Sequence, residues 1–439
     1  MTAYAPAVRT RVRPRARTQG RSVSSALRPF APMAFLSAAM VMVLTGRLHD
    51  AVLYGQLPVA KIFLVAGIVL FWASRGGSVL AIAMKTLPAR GFIALTAALY
   101  LSVPFSLWKG LSAEMATKWT LSSLPIVLIV STSIRSVGDL ERLLRALVLM
   151  VLASTALILL GQGIAIDTAA GPRLSLAGSY DPNDFAAVIA ATSSVCVWAL
   201  RDRGWFWKVL GYLGLACCGF LIVKTGSRGG AITLGAVLAG TTLFLPRSMP
   251  RVARLGIGVS MIAGIAFAPS SFLDRLATLN DVTKDYNYTE NSGRIAVWKR
   301  GFGYFAGSPI TGVGVGAFPV ADGQWSKANG YVRGFKWSVA HNLFIETASE
   351  LGLPGLIALL FSLLPVVFTW RRVRKLQAVS EEDERLKRVI ETIALSTLAF
   401  LLATMFINGL FNPLLLMLVA MSIGAHTLLK HKSKLLRPT

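Results

Sequence analysis

Two arginines and a histidine carry the side chains best suited to chemistry in this sequence. Arg228 lies in Thr225-Gly226-Ser227-Arg228-Gly229-Gly230, where small neighbours leave room for a ligand to approach the backbone. A guanidinium there can clamp a phosphate through two parallel hydrogen bonds; the alternative is a snorkelling arginine that ends a helix. Arg294 follows Asn291-Ser292-Gly293 and opens a stretch, Ser292 to Phe305, in which Ile295, Trp298, Phe302 and Phe305 recur at helical spacing. A guanidinium at a helix N-terminus makes an anion site. The alternative is a surface helix whose Lys299 and Arg300 touch lipid headgroups. His341, in Ala340-His341-Asn342-Leu343-Phe344, opens a further helix that ends at Gly352 with Pro354 beyond. The helix dipole there lowers its pKa and keeps the imidazole neutral near pH 7, as a general base acting on a hydroxyl must be. A cap or a satisfied interfacial side chain is the plainer alternative for His341.

Arg228, Arg294 and His341 are therefore the candidate catalytic residues, and Arg173, Asn342, Trp298 and Arg300 the candidates for holding substrate. Arg173 follows Gly171-Pro172 in a connection that continues through Ser179-Tyr180-Asp181-Pro182-Asn183-Asp184, where Asn183 or Asp184 suits a helix cap. An acidic sugar or a phosphate is the partner expected for Arg173. Arg333 has no motif around it and reads as a solvated loop charge. Gly312-Val313-Gly314-Val315-Gly316 resembles a nucleotide-binding loop, but no βαβ unit surrounds it, and a tight turn is expected. Cys196, Cys217 and Cys218 all fall in apolar stretches without metal-ligand spacing, and no His-Glu-x-x-His or Gly-x-Ser-x-Gly pattern marks a metalloenzyme or a serine hydrolase.

The elements that must position these residues follow from composition. Of 439 residues, 54% are hydrophobic and 15% charged, where a soluble domain carries roughly a quarter charged. Stretches near the ~20 residues that span a bilayer lie at about 29–46, 57–74, 91–108, 119–134, 146–166, 185–200, 209–223, 229–245, 255–273, 353–370, 389–407 and 410–429. Each reads as a helix, because lipid leaves no other way to satisfy the backbone. The expectation is an all-α polytopic membrane protein of about 12 transmembrane helices with one large outer, periplasmic loop containing short amphipathic helices. Its parts are a basic cytoplasmic arm (1–28), transmembrane helices 1–9 (29–270), the periplasmic loop (271–340), the histidine helix with helices 10–12 (341–429) and a cytoplasmic tail (430–439). The arm carries Arg9, Arg11, Arg13, Arg15, Arg17, Arg21 and Arg28 without an acid and imitates a signal peptide, but the apolar run behind it is long enough to be a retained span. A net charge of +25 would suggest nucleic acid in a soluble protein. Here the segments on the side of the N-terminus hold twice the basic residues of the opposite side, which places both ends in the cytoplasm and the candidate residues outside.

Taken together, Ser179 to Phe185, Thr225 to Gly230, Asn291 to Arg294 with Trp298, Gly312 to Phe318, and Ala340 to Glu346 resemble the O-antigen ligase and polymerase superfamily in order and spacing over roughly residues 180–420. The resemblance implies a bacterial inner-membrane glycosyltransferase. Such an enzyme transfers a polyprenyl-diphosphate-linked glycan to an acceptor hydroxyl at the periplasmic face, without nucleotide, cofactor or, in general, metal. It also implies that Arg228 and Arg294 match the family's essential arginines and His341 its essential histidine. Transfer to lipid A core, the ligase reaction, is the first expectation, and polymerisation of repeat units is the alternative within the family. A transporter of an anionic solute is the alternative from another class; it would need ionisable residues along a path through the spans, where they are nearly absent. A structural subunit of polysaccharide assembly is a third, and it would tolerate loss of His341. The implied partners are the lipid-linked donor, a glycolipid acceptor or growing polysaccharide, and membrane lipids, with no nucleic acid.

Overall fold

The computed structural model describes residues 27–53, 56–168, 171–176, 180–202, 204–244, 290–291, 293–330, 337–375 and 377–432, with residues 254, 270 and 272–273 besides. In chain order the helices are α1 (Ala31–Gly46), α2 (Leu48–Leu53), α3 (Val59–Ala73), α4 (Gly76–Ala83), α5 (Leu87–Ser102), α6 (Lys109–Lys118), α7 (Leu124–Ser133) and α8 (Val137–Leu157). A hairpin of β1 (Gly163–Thr168) and β2 (Gly171–Leu176) comes next. The remaining helices are α9 (Pro182–Ala199), α10 (Trp205–Thr225), α11 (Arg228–Phe244), α12 (Arg294–Gly307), α13 (Phe318–Ala328), α14 (Leu343–Leu363), α15 (Pro365–Val373), α16 (Glu381–Ala403) and α17 (Pro413–Lys432).

The centre of the bundle is α9, whose side chains are buried on every face from Phe185 to Ala199. Its Ala, Ser, Thr and Cys residues are small enough to let α8, α10, α11 and α16 close around it. The hydroxyls that this leaves in an apolar interior return to their own helix: Thr192 donates to Val188 O and Ser193 to Ala190 O, while Ser194 meets Ser396 of α16. The periphery has the opposite character. Along α3, Ile62, Val65, Ile68, Val69 and Trp72 are exposed and Gly67 alone is buried, a face that only lipid can cover without penalty.

Among the described residues, six helical segments are long and apolar enough to cross a bilayer, or seven if the bent pair α3 and α4 counts as one. The twelve expected spans are thus matched only in part. A helix lies at eleven of the expected positions, but several are too short or too polar to qualify by themselves. The expected span at 255–273, apart from Ser270, Phe272 and Leu273, lies outside the described residues, as do the basic arm through residue 26, Arg333 and much of the outer loop. The stretch after α3, too short to be expected as a span, forms α4 and is bent 95° from α3. The chain is mostly helical as expected, with one two-stranded hairpin added among the described residues. Gly161, at φ 86, turns the chain out of its helix, and Ile164 and Ile166, alternating with small residues, extend it as a strand. In an apolar run those isoleucines are indistinguishable from the end of a span, which is why the fifth span is expected to reach 166.

Ion pairs gather at the end of the bundle marked by the C-terminus of α9 and the N-termini of α8 and α16. They include Arg145–Asp202 at 3.1 Å, Arg201–Glu391 at 2.5 Å, and Arg385 gripping both carboxylate oxygens of Glu141. The candidate residues occupy the other end.

Candidate functional site

His341 is placed by the chain on either side of it. Its backbone is left-handed (φ 47), a conformation that costs a residue with a Cβ about 1–3 kcal/mol and persists where surrounding contacts over-determine it. Those contacts are present at nearly every step. Ser338 N–H donates to Asp322 (3.3 Å), Trp298 Nε1 donates to Ala340 O (2.9 Å), His341 N–H donates to Asn408 Oδ1 (2.7 Å), and Leu343 N–H donates to Thr404 O (2.9 Å). Asn342 is the N-cap of α14: its Oδ1 accepts from Phe344 and Ile345 N–H, and its Nδ2 donates to Met405 O. α14 turns at Gly352 and runs on beyond Pro354. The glycine run Gly312 to Gly316 is a tight turn as expected, with positive φ at all three glycines, and Glu350 of α14 fastens it by accepting from Gly316 and Phe318 N–H.

Arg228 begins α11 immediately after a second tight turn. Gly226, left-handed at φ 60, ends α10, and Ser227 Oγ accepts from Gly230 N–H. The two glycines after Arg228 admit neighbouring protein. A Cβ on Gly229 would stand 2.9 Å from the Phe406 ring, and one on Gly230 would stand 2.7 Å from Ala186. The expected backbone approach of a ligand at these glycines is therefore corrected: their smallness serves packing, and Arg228 itself is what the turn presents. Arg173, on β2, holds this turn to α9. Its Nε donates to Thr225 O (2.8 Å) and its Nη2 to Asn183 Oδ1 (2.7 Å). The cap of α9 is Asp181, whose Oδ1 accepts from Asn183 N–H, rather than Asn183 or Asp184.

Arg294 begins α12, and its charge reaches His341 and Asp184. The His341 residue is exposed, yet protein crowds its imidazole enough that desolvation is the main cause holding its pKa below the ordinary value; Arg294 lowers it further, and Asp181 opposes both. Asp184, just ahead of the apolar part of α9, moves the other way, to about 7. Burial is the first cause and Asp181 the second, against the cations Arg47 and Arg294. The expected lowering at His341 is thus present, but its causes are desolvation and Arg294. The N-termini of α9, α11, α12 and α14 meet at this end of the bundle, joined by Arg173 and by the reach of Arg294. Each carries the partial positive charge of a helix N-terminus, so the gathered ends favour an anion.

The remaining candidates are engaged in support. Trp298 anchors Ala340, next to the histidine. Arg300 is turned away into the lobe formed by α12 and α13, where it pairs with buried Asp322 (2.5 Å), donates to Asn291 O (2.9 Å) and lies over the Trp325 ring. Sequence reasoning passed over three residues. Asp181 signals itself only as a cap. Asn408 lies in an apolar stretch with nothing to distinguish it. Arg47 closes the first helix with a left-handed backbone and lies 4.6 Å from the Tyr180 ring centre; no glycine motif or helix start singles it out in the sequence.

No curated protein matches the chain. Residues 213–360 match the family described as O-antigen ligase. That stretch begins in α10 and ends in α14, and so contains Arg228, Arg294 and His341. Arg228, Arg294 and His341 thus lie within the matched stretch of a mostly helical membrane protein, and the match over that stretch supports membership of the O-antigen ligase superfamily.

Proposed function

We propose that the protein transfers a polyprenyl-diphosphate-linked glycan to an acceptor hydroxyl, most specifically as a ligase acting on lipid A core, with its site on the periplasmic side of the inner membrane and both chain ends in the cytoplasm. The observation that carries the reading is a neutral-leaning histidine beside an arginine at the meeting of four helix N-termini. The family match supports glycan transfer of the ligase or polymerase kind. The placement of Arg145, Arg201 and Arg385 at the far end supports an orientation with that end inward.

In the proposed reaction, His341 takes the proton of the acceptor hydroxyl as its oxygen attacks the anomeric carbon. The bond from that carbon to the diphosphate oxygen breaks, and the electron pair leaves with the polyprenyl diphosphate, whose growing charge Arg228 and Arg294 offset. A direct displacement of this kind inverts the anomeric centre. The energy is stored in the donor, so what the chain must supply is alignment, charge and one base. Asn342, Trp298 and Arg173 support this arrangement through the backbone of His341 and the turn before Arg228, and Arg300 supports it through Asp322.

The test is transfer by the purified, reconstituted protein from a polyprenyl-diphosphate glycan, with lipid A core and without it, for wild type, Arg228→Ala and His341→Ala. Transfer to core that both substitutions abolish supports the ligase. Chain elongation without core makes the protein a polymerase, and no transfer in either condition, with the variants indistinguishable from wild type, refutes the enzyme reading in favour of a transporter or structural role.

A further inference from the structure

The segment from Thr404 to Gly409, between α16 and α17, lies beyond the residues matched by the family and contains none of the candidate residues. It nevertheless touches two of the three elements that carry them. Toward α14 it makes four hydrogen bonds in succession. Thr404 O accepts from Leu343 N–H, Met405 O from Asn342 Nδ2, Asn408 Oδ1 from His341 N–H, and Gly409 N–H donates to Glu346 Oε2 at 3.2 Å. Toward α11 it packs the Phe406 ring against Gly229, the residue after Arg228. One short loop thus bears on both the base and an arginine of the anion site.

We propose that Asn408 is a positioning residue for the reaction. Its carboxamide oxygen holds the His341 backbone in the left-handed conformation that aims the imidazole, while Phe406 in the same loop seats the turn that presents Arg228. The inference rests on the glycan-transfer reading. A backbone N–H can only donate, so the atom of Asn408 facing His341 must be its oxygen. A residue other than glycine reverts from a left-handed backbone once the contacts that hold it are removed. Reversion would swing the imidazole away from the acceptor, and a displacement of about 1 Å can cost on the order of 100-fold in rate.

The experiment compares wild type, Asn408→Ala, Asn408→Asp and His341→Ala in the reconstituted transfer assay. It also measures thermal unfolding in detergent and hydrogen–deuterium exchange of the peptide containing His341. Asn408→Ala is expected to lower kcat by about 10- to 100-fold with KM for the donor unchanged, to leave the unfolding midpoint in place, and to speed exchange at the His341 amide. Asn408→Asp keeps the acceptor oxygen and is expected to recover most of the lost kcat, measured on its own pH plateau, and the slow exchange. The proposal is overturned by a wild-type kcat in Asn408→Ala, by a loss that Asn408→Asp does not repair, by a loss that tracks the unfolding midpoint, or by exchange that does not change. If wild type and His341→Ala are equally inactive, the glycan-transfer reading fails and the catalytic role with it. The exchange measurement then still decides whether Asn408 holds His341.

Discussion

Removing the Arg173 side chain separates a residue that touches substrate from one that holds the site together. Among its contacts, its guanidinium donates to Thr225 O at 2.8 Å and to Asn183 Oδ1 at 2.7 Å. Thr225 is the last residue of α10, and its carbonyl has no partner further along that helix. Hydrogen bonds to a charged group contribute about 1.5–3 kcal/mol each, so these two contribute at most about 3–6 kcal/mol. Arg173 is only partly buried, and water can replace it at both acceptors, so a loss of about 1–3 kcal/mol is the reasonable expectation for Arg173→Ala. The turn at Gly226 would then separate from α9 and carry Arg228 with it. The expected result is a lower unfolding midpoint in detergent together with a fall in kcat, both partly restored in Arg173→Lys, which can reach one acceptor but not form the fork. Arg173→Ala with an unchanged midpoint and a rise confined to the donor's KM would refute the positional argument and return Arg173 to the substrate.

Other perturbations have equally definite signs. Asp181→Asn keeps the cap acceptor of α9 and removes a charge that raises the pKa of both His341 and Asp184. Because His341 must be neutral to act as base, the acid limb of kcat/KM should move to lower pH; a move to higher pH would contradict the assignment. Arg294→Gln removes a charge that lowers His341, so whatever activity survives should show an acid limb at higher pH than wild type, checked by the same profile. Asn342→Ala loses the cap of α14 and should cost about 1 kcal/mol by chemical denaturation, with a lower kcat because the next residue back is His341. Arg300→Ala leaves buried Asp322 without its ion partner, a change of about 3–5 kcal/mol for buried pairs, and should loosen the lobe and the Ser338 contact; Asp322→Asn in the same chain should recover part of that stability.

What the sequence made legible was local, and what it concealed was pairing across long distances. Helix starts and stops follow from short-range rules. The stretch expected from Ser292 to Phe305 appears as Arg294–Gly307, the helix after His341 begins at Leu343, and the glycine run from Gly312 turns where expected. Asn408 and Arg173 were opaque for different reasons. Asn408 lies 67 residues from His341 along the chain, and no spacing rule reaches that far. Arg173 was visible as a charge, but its role depends on the hairpin that brings it to Thr225 and Asn183. The glycines beside Arg228 misled in an instructive way, since a small residue shows that something comes close without showing whether it is a ligand or the rings and methyl groups of Phe406 and Ala186.

The placement of the site at helix beginnings follows from the solvent the chain must live in. A cation buried midway along an apolar helix would have to be desolvated, whereas at a helix N-terminus it can stay near water and add its charge to the positive end of the helix dipole. The same choice creates a difficulty, because gathered positive ends repel an arginine as readily as they attract a diphosphate. Asp181 and Asp184 answer it: both stand at the first turn of α9, Asp184 feels the charge of Arg294 and Asp181 acts on His341, and carboxylates there lower the cost of assembling cations before any anion arrives. Asp184 titrates at about 7, between the two tasks. A bound diphosphate would raise that value further, so arrival of the donor favours uptake of a proton by Asp184 and leaves Arg294 to the new anion. Net proton uptake on donor binding, measured near pH 7 with a pH-sensitive dye, should therefore be larger in wild type than in Asp184→Asn; equal uptake in the two would show that Asp184 does not take part in the exchange of charge.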